Sequence, residues 1–160
     1  MSANRHLGRI IALQTLYEQE FRIECGDKGF TLKKVLRRNI NRYKKLVDDS
    51  KFIEDLVAGV NREAKTLDET IQPLAPEWPL DQIARMDRLV LRIGTYELLN
   101  NGSVPPKVVI NESVELAKAF GGDNSSKFIN GVLGTLLKQR DEKKKPTKKT
   151  TNKVPVKKGK

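Results

Sequence analysis

Lys127 and Phe128 stand side by side directly after the polar run Asp123, Asn124, Ser125, Ser126. That grouping suits single-stranded RNA: phosphates need Lys or Arg, and unstacked bases need a ring face with polar groups at their edges. Arg5 and Arg9, one helical turn apart with His6 between them, form a second basic group, and Lys118 is a further cation. Core packing would use Phe128 equally well, and solvated surface charge would use the two arginines. Catalytic chemistry finds less. The single histidine, His6, has no nucleophile and acid placed beside it by a recognisable motif. G-x-G-x-x-G, G-x-x-x-x-G-K-[ST] and H-E-x-x-H do not occur. The carboxylates fall on helix surfaces and near helix starts, where structural roles suffice. One cysteine, Cys25, excludes an intramolecular disulfide and a cysteine-rich zinc site. The residues point to a binding protein with no enzymatic activity, cofactor or metal.

Helical periodicity provides the scaffold for these groups. Pro105 and Pro106 suit the opening of a helix, because proline there leaves no amide unpaired and has its φ preset. Val109, Ile110, Val114, Ala117 and Phe120 then make one apolar stripe, with Asn111, Glu112, Glu115 and Lys118 on the other side. Gly121 and Gly122 are expected to end this helix through a left-handed cap. Asp123, Asn124 or Ser125 would cap the next one. It buries Phe128, Ile129, Val132, Leu133, Leu136 and Leu137 and should end near Arg140. Lys127, Gly131, Gly134 and Lys138 line up on its far side. Each interior glycine costs about 1 kcal/mol relative to alanine. The strip therefore serves either close helix packing or a flat cationic approach to a phosphate backbone.

Upstream, the same periodicity predicts helices over residues 5–22, 31–46, from Ser50 towards Ile71, and over 80–100. Ile10, Leu13, Tyr17 and Phe21 face inward on the first. The second turns Leu32, Val35, Leu36, Ile40, Tyr43 and Leu46 inward. Its other face holds Lys33, Lys34, Arg37, Arg38, Arg42, Lys44 and Lys45, which ordinary solvation accounts for. The stretch 80–100 is apolar over so much of its circumference that it must be central. Residues 72–79, QPLAPEWP, hold three prolines in eight residues and cannot be a regular helix. They link two helical halves, with Trp78 expected to pack beneath them as an anchor.

Charge is unevenly placed. Nine lysines and two acids lie beyond residue 140, so +7 of the net +11 belongs to the tail and +4 to residues 1–140. Residues 141–160 offer little to bury, and composition of that kind predicts disorder. No apolar run approaches the roughly 18 residues of a membrane span, and no signal peptide is visible. A soluble, cytoplasmic protein is expected. The fold expected is all-α: two packed three-helix bundles, residues 1–72 and 80–140 of one domain, followed by a disordered basic tail.

Three stretches carry a family resemblance. The pattern PxKVxINExVELAKxFG from Pro105, followed by SxKFxNGVLG from Ser125, resembles the C-terminal half of the NusB family of bacterial transcription antitermination factors. LDQIARMDRLVLRIGTYELL, residues 80–99, is similar to the family's central helix, and IALQTLYEQEF, residues 11–21, to its first. In order and spacing they cover most of residues 5–138. The resemblance implies an RNA-binding antitermination factor for ribosomal RNA operons. It further implies binding to boxA-like single-stranded RNA, pairing with the small-subunit ribosomal protein NusE, and action within the transcription elongation complex.

Carried over residue by residue, the family's RNA contacts match the first-helix arginines and the group Asn124, Ser125, Lys127 and Phe128. Asn124 stands where the family often has Asp, and His6 and Leu7 where it commonly has more arginine. The expected RNA-binding set is Arg5, His6, Arg9, Lys118, Asn124, Ser125, Lys127 and Phe128. Tyr17 and Asp87 match positions at the NusE contact. Tyr17 would also suit a core; Asp87 is harder to place there, because carboxylates are rarely buried unless paired. Two alternatives stand beside this reading: a helical RNA-targeting module like that of some RNA cytosine methyltransferases, and a nonspecific nucleic-acid-binding or ribosome-assembly protein.

Overall fold

The computed structural model describes residues 3–100 and 102–144. These hold six α-helices and no strand: α1 (Ala3–Glu24), α2 (Leu32–Arg42), α3 (Ser50–Ile71), α4 (Arg85–Asn100), α5 (Pro106–Phe120) and α6 (Ser125–Lys144). The first three pack together, as do the last three. α4 joins the two sets by packing on α1, α3, α5 and α6. Leu89, Val90, Leu91, Ile93 and Leu98 of α4 are buried in a hydrophobic core continuous from Ile11 to Leu136. The expected two-bundle, all-α architecture and the central fourth helix are what the structure contains.

Helix ends follow local chemistry. Thr31 caps α2 by accepting the Lys34 N–H at 3.2 Å, and Asp49 caps α3 by accepting that of Phe52 at 3.0 Å. Each cap satisfies a backbone donor that the first turn leaves unpaired. α2 is shorter than expected, because Tyr43 leaves the helical region (φ −114°, ψ 20°). Leu46 consequently lies exposed in the following loop instead of facing the core. α4 begins five residues later than expected. Leu80–Gln82 form a 3-10 turn and Ile83 is extended, so the first acid inside the helix is Asp87, not Asp81. α6 runs on to Lys144, past Arg140. The rest of the tail, and with it the expectation of disorder, lies outside the described residues.

α2 is held by one face alone. Val35, Leu36 and Asn39 are buried, Asn39 Nδ2 donates to Thr15 Oγ1 of α1 at 3.0 Å, and Arg38 pairs with Glu18. Nothing in the described fold uses its opposite side.

The linker between the halves is organised differently from expectation. Gln72 closes it: its Nε2 donates to the carbonyls of Ala75 (3.3 Å) and Trp78 (3.2 Å), and its Oε1 accepts the Leu80 N–H (3.0 Å). With those backbone groups satisfied by one side chain, Trp78 is not needed as an anchor and stands 56% exposed.

Candidate nucleic-acid interface

The turn between α5 and α6 shapes the first group of candidates. Gly121 follows α5 with φ −92° and ψ −173°, an extended conformation open to any residue, so a left-handed cap is not the reason for glycine. Space is. A Cβ there would sit 2.6 Å from Ser125 Cβ and 2.8 Å from the Ala117 carbonyl oxygen. Ser125 is buried, and its hydroxyl accepts the Gly122 N–H at 2.9 Å. That fixes the turn, so Ser125 shapes the site from within. Asn124 and Lys127 are exposed at the start of α6, and Phe128 is half-buried against the core.

Asn124, Ser125 and Phe128 line one wall of an open cleft of about 490 Å³, and the other wall is Trp78, Gln82, Ile83, Ala84 and Asp87. The cleft joins what the sequence had assigned to different ligands. Asp87 sits in the first turn of α4, where the helix dipole favours a carboxylate. Its Oδ1 is shielded from solvent and has no hydrogen-bond partner. A buried acceptor left unpaired costs about 1–3 kcal/mol, so an incoming donor at this point would be favoured. Trp78, missed as a candidate, contributes an exposed ring; its place beside two prolines in a segment that cannot be helical was the available signal.

The second basic group divides. Arg5 is partly exposed, lies 4.7 Å over the Phe52 ring and is 3.5 Å from Asp49. His6 Nδ1 is 2.6 Å from Glu112 Oε2 of α5, with about 39% of its side chain still exposed. Arg9, expected among the RNA contacts, is 1% exposed. Its Nε and Nη2 bond both carboxylate oxygens of the buried Glu97, at 2.9 and 2.8 Å, and its Nη1 is 3.7 Å from Glu112. Arg9 is therefore an internal ion-pair member, out of reach of a phosphate. Lys118, on the last turn of α5, is exposed beside Glu115 at 3.5 Å.

Tyr17 is half-buried, with the Arg85 guanidinium 5.3 Å over its ring, and Arg85 also pairs with Glu24. Phe21, expected inside, is 51% exposed one turn further on, and Ile23 is 62% exposed. The end of α1 thus presents Phe21 beside Arg85 at the start of α4, while Ile23 lies on the side towards α3. The glycine strip resolves as well. A Cβ at Gly131 or Gly134 would meet nothing within 4 Å, which removes close packing as its explanation. Close packing belongs instead to Gly59, where a Cβ would strike the Tyr96 ring, and to Gly94, where it would lie 2.7 Å from Leu133 and Ser113.

Among the described residues no group of His, Cys, Asp and Glu is arranged to hold a metal ion, and no helix is long and apolar enough to cross a membrane.

Comparison with known proteins bears on all of this. The NusB family model matches residues 6–138. The transcription antitermination protein NusB of a Dehalococcoides mccartyi strain is 39% identical over 138 residues, covering 86% of this chain and 92% of its own. The protein of the same name from Chloroflexus aggregans is 40% identical over 139 residues, covering 86% and 89%. Among solved structures, T. maritima NusB superposes with a TM-score of 0.75 at 30% identity, covering 87% of this chain and 94% of that one. A NusB solved with NusE and double-stranded RNA shares the fold, with a TM-score of 0.72 at 24% identity over 87% and 99%.

Proposed function

The chain belongs to the NusB family, and on that premise we propose that it is an RNA-binding transcription antitermination factor of ribosomal RNA operons. It binds boxA-like single-stranded RNA together with the ribosomal protein NusE, as part of the elongation complex. It acts in the cytoplasm, by binding and not by catalysis. The observation that carries the site assignment is the cleft uniting Asn124 and Phe128 with Trp78 and Asp87. Trp78 and Phe128 offer ring faces for unstacked bases, Asn124 offers an amide to a base edge, and Lys127 offers charge to a phosphate. Arg5, His6 and Lys118 add cationic or donor groups beyond the cleft, and Arg9 does not take part.

NusE docks beside this cleft. The half-buried Tyr17, the exposed Phe21 one turn on, and the unpartnered oxygen of Asp87 lie along α1 and the start of α4. An apolar patch next to a lone acid fits a basic protein surface with an apolar anchor. Because Asp87 also lines the RNA cleft, protein and RNA would meet on adjoining walls. Replacing Asp87 with Lys tests this. The variant should stay folded and lose affinity for purified NusE. Normal assembly would remove Asp87 from the interface, and unfolding of the free chain would make it structural.

A further inference from the structure

Positive charge in the folded part of the chain is concentrated in one place. Residues 31–49 hold seven Lys and Arg against two Asp, a net of +5, whereas the remainder of residues 1–140 carries −1. Lys33, Lys34, Arg37, Arg42, Lys44 and Lys45 are all exposed, and none forms an ion pair with a described residue. Arginines that face protein behave otherwise: Arg38 meets Glu18, Arg85 meets Glu24, Arg88 meets Glu20 and Arg92 meets Asp68.

We propose that α2 and the loop after it form a second RNA surface, a track for the sugar-phosphate backbone flanking the element held at the α5–α6 turn. The proposal rests on the RNA-binding reading and extends it. α2 has 11 residues, about 16 Å of helix, long enough to run beside several phosphates of a single strand. The track also runs close to Arg5, one of the cationic groups beyond the cleft. Arg5 lies 3.5 Å from Asp49, and Asp49 is four residues from Lys45, at most about 14 Å of extended chain. The six cations are accompanied by no exposed aromatic ring, so the surface attracts phosphate without reading bases.

An acidic protein segment fits less well. The groove between α2 and α3, about 680 Å³, has an apolar floor of Leu36, Ile40 and Val57. Of the six cations it touches Lys33 and Arg37 alone, and Glu54 stands on its rim. A peptide seated there would leave the other four unused and would place its acids beside a carboxylate.

The test uses the full chain and a variant carrying Lys33→Gln, Lys34→Gln, Arg37→Gln, Arg42→Gln, Lys44→Gln and Lys45→Gln. Circular dichroism should show both folded, since the replaced side chains are exposed and unpaired. The probes are boxA RNA alone and boxA RNA extended by about ten uridines, titrated with salt. Wild type should gain roughly an order of magnitude in affinity from the extension. The variant should match wild type on the bare element, lose most of that gain, and show a salt slope on the long RNA shallower by about two units or more. The C-terminal lysines are present in both and cancel. An equal gain and equal slope in the variant would overturn the track. A wild-type chain that bound boxA RNA no better than a scrambled sequence would overturn the underlying reading, and the track with it.

Discussion

On α1, Arg9 is sealed against Glu97 and Arg22 clasps Glu18 and Asp27, while on α2 Lys33, Lys34 and Arg37 stand in solvent with no acid to meet. Both helices carry arginines, balanced by three glutamates on α1 and by no acid on α2, and their charge does different work. The Arg9–Glu97 pair crosses from α1 to α4 with both guanidinium–carboxylate bonds made, so it holds one helix in register on the other. Desolvating two charges offsets much of that attraction, and the pair is better read as specifying the packing than as stabilising it. The outer side of α2 specifies nothing in the fold. Charge that is neutralised internally has been used by the architecture, and charge left open is available to a polyanion.

The largest effect should come from breaking the internal side of that contrast. Arg9→Ala strands a buried carboxylate and should cost about 3–5 kcal/mol by chemical denaturation. Replacing Arg9 and Glu97 together with Met and Leu should recover most of it. A stable Arg9→Ala chain that had merely lost RNA affinity would move Arg9 to the binding side.

Glycines sharpen the same division between packed and open surface at intermediate size. Gly121→Ala must push into Ser125 and the Ala117 carbonyl, and a loss of about 1–3 kcal/mol is expected. Gly131→Ala meets open space inside a helix and should raise the unfolding midpoint, by up to about 1 kcal/mol. Equal responses at the two sites would refute the geometry. Smallest of all, the six-fold α2 glutamine variant should unfold within about 0.5 kcal/mol of wild type, its exposed side chains having no partner to lose.

Much of this was legible in the sequence because it rests on short-range rules. The proline pair did open α5, and α3 did begin at Ser50. What escaped depends on three-dimensional neighbours. Arg5 and Arg9 are the same residue type one turn apart, and only the position of Glu97, 88 residues away in sequence, decides that one is buried and the other is not. Gly94 and Gly131 likewise read alike until Leu133 and Ser113 are found against the first and nothing against the second. Trp78 was assigned to the interior on the habit of its type, whereas Gln72 had already satisfied the linker's backbone. Phe21 followed the helical period inward, but the neighbour over its ring is the Arg85 guanidinium, at 5.7 Å.

The central claim is that the cleft at the α5–α6 turn reads RNA, and Trp78→Ala tests it most directly because that ring is exposed and its removal should leave the fold intact. Affinities for boxA and scrambled RNA would be compared by fluorescence anisotropy. Stacking on an aromatic side chain is worth about 1–3 kcal/mol per base, so the variant should bind boxA RNA roughly fivefold or more weakly. Unchanged boxA affinity and unchanged discrimination in a folded Trp78→Ala chain would contradict the account.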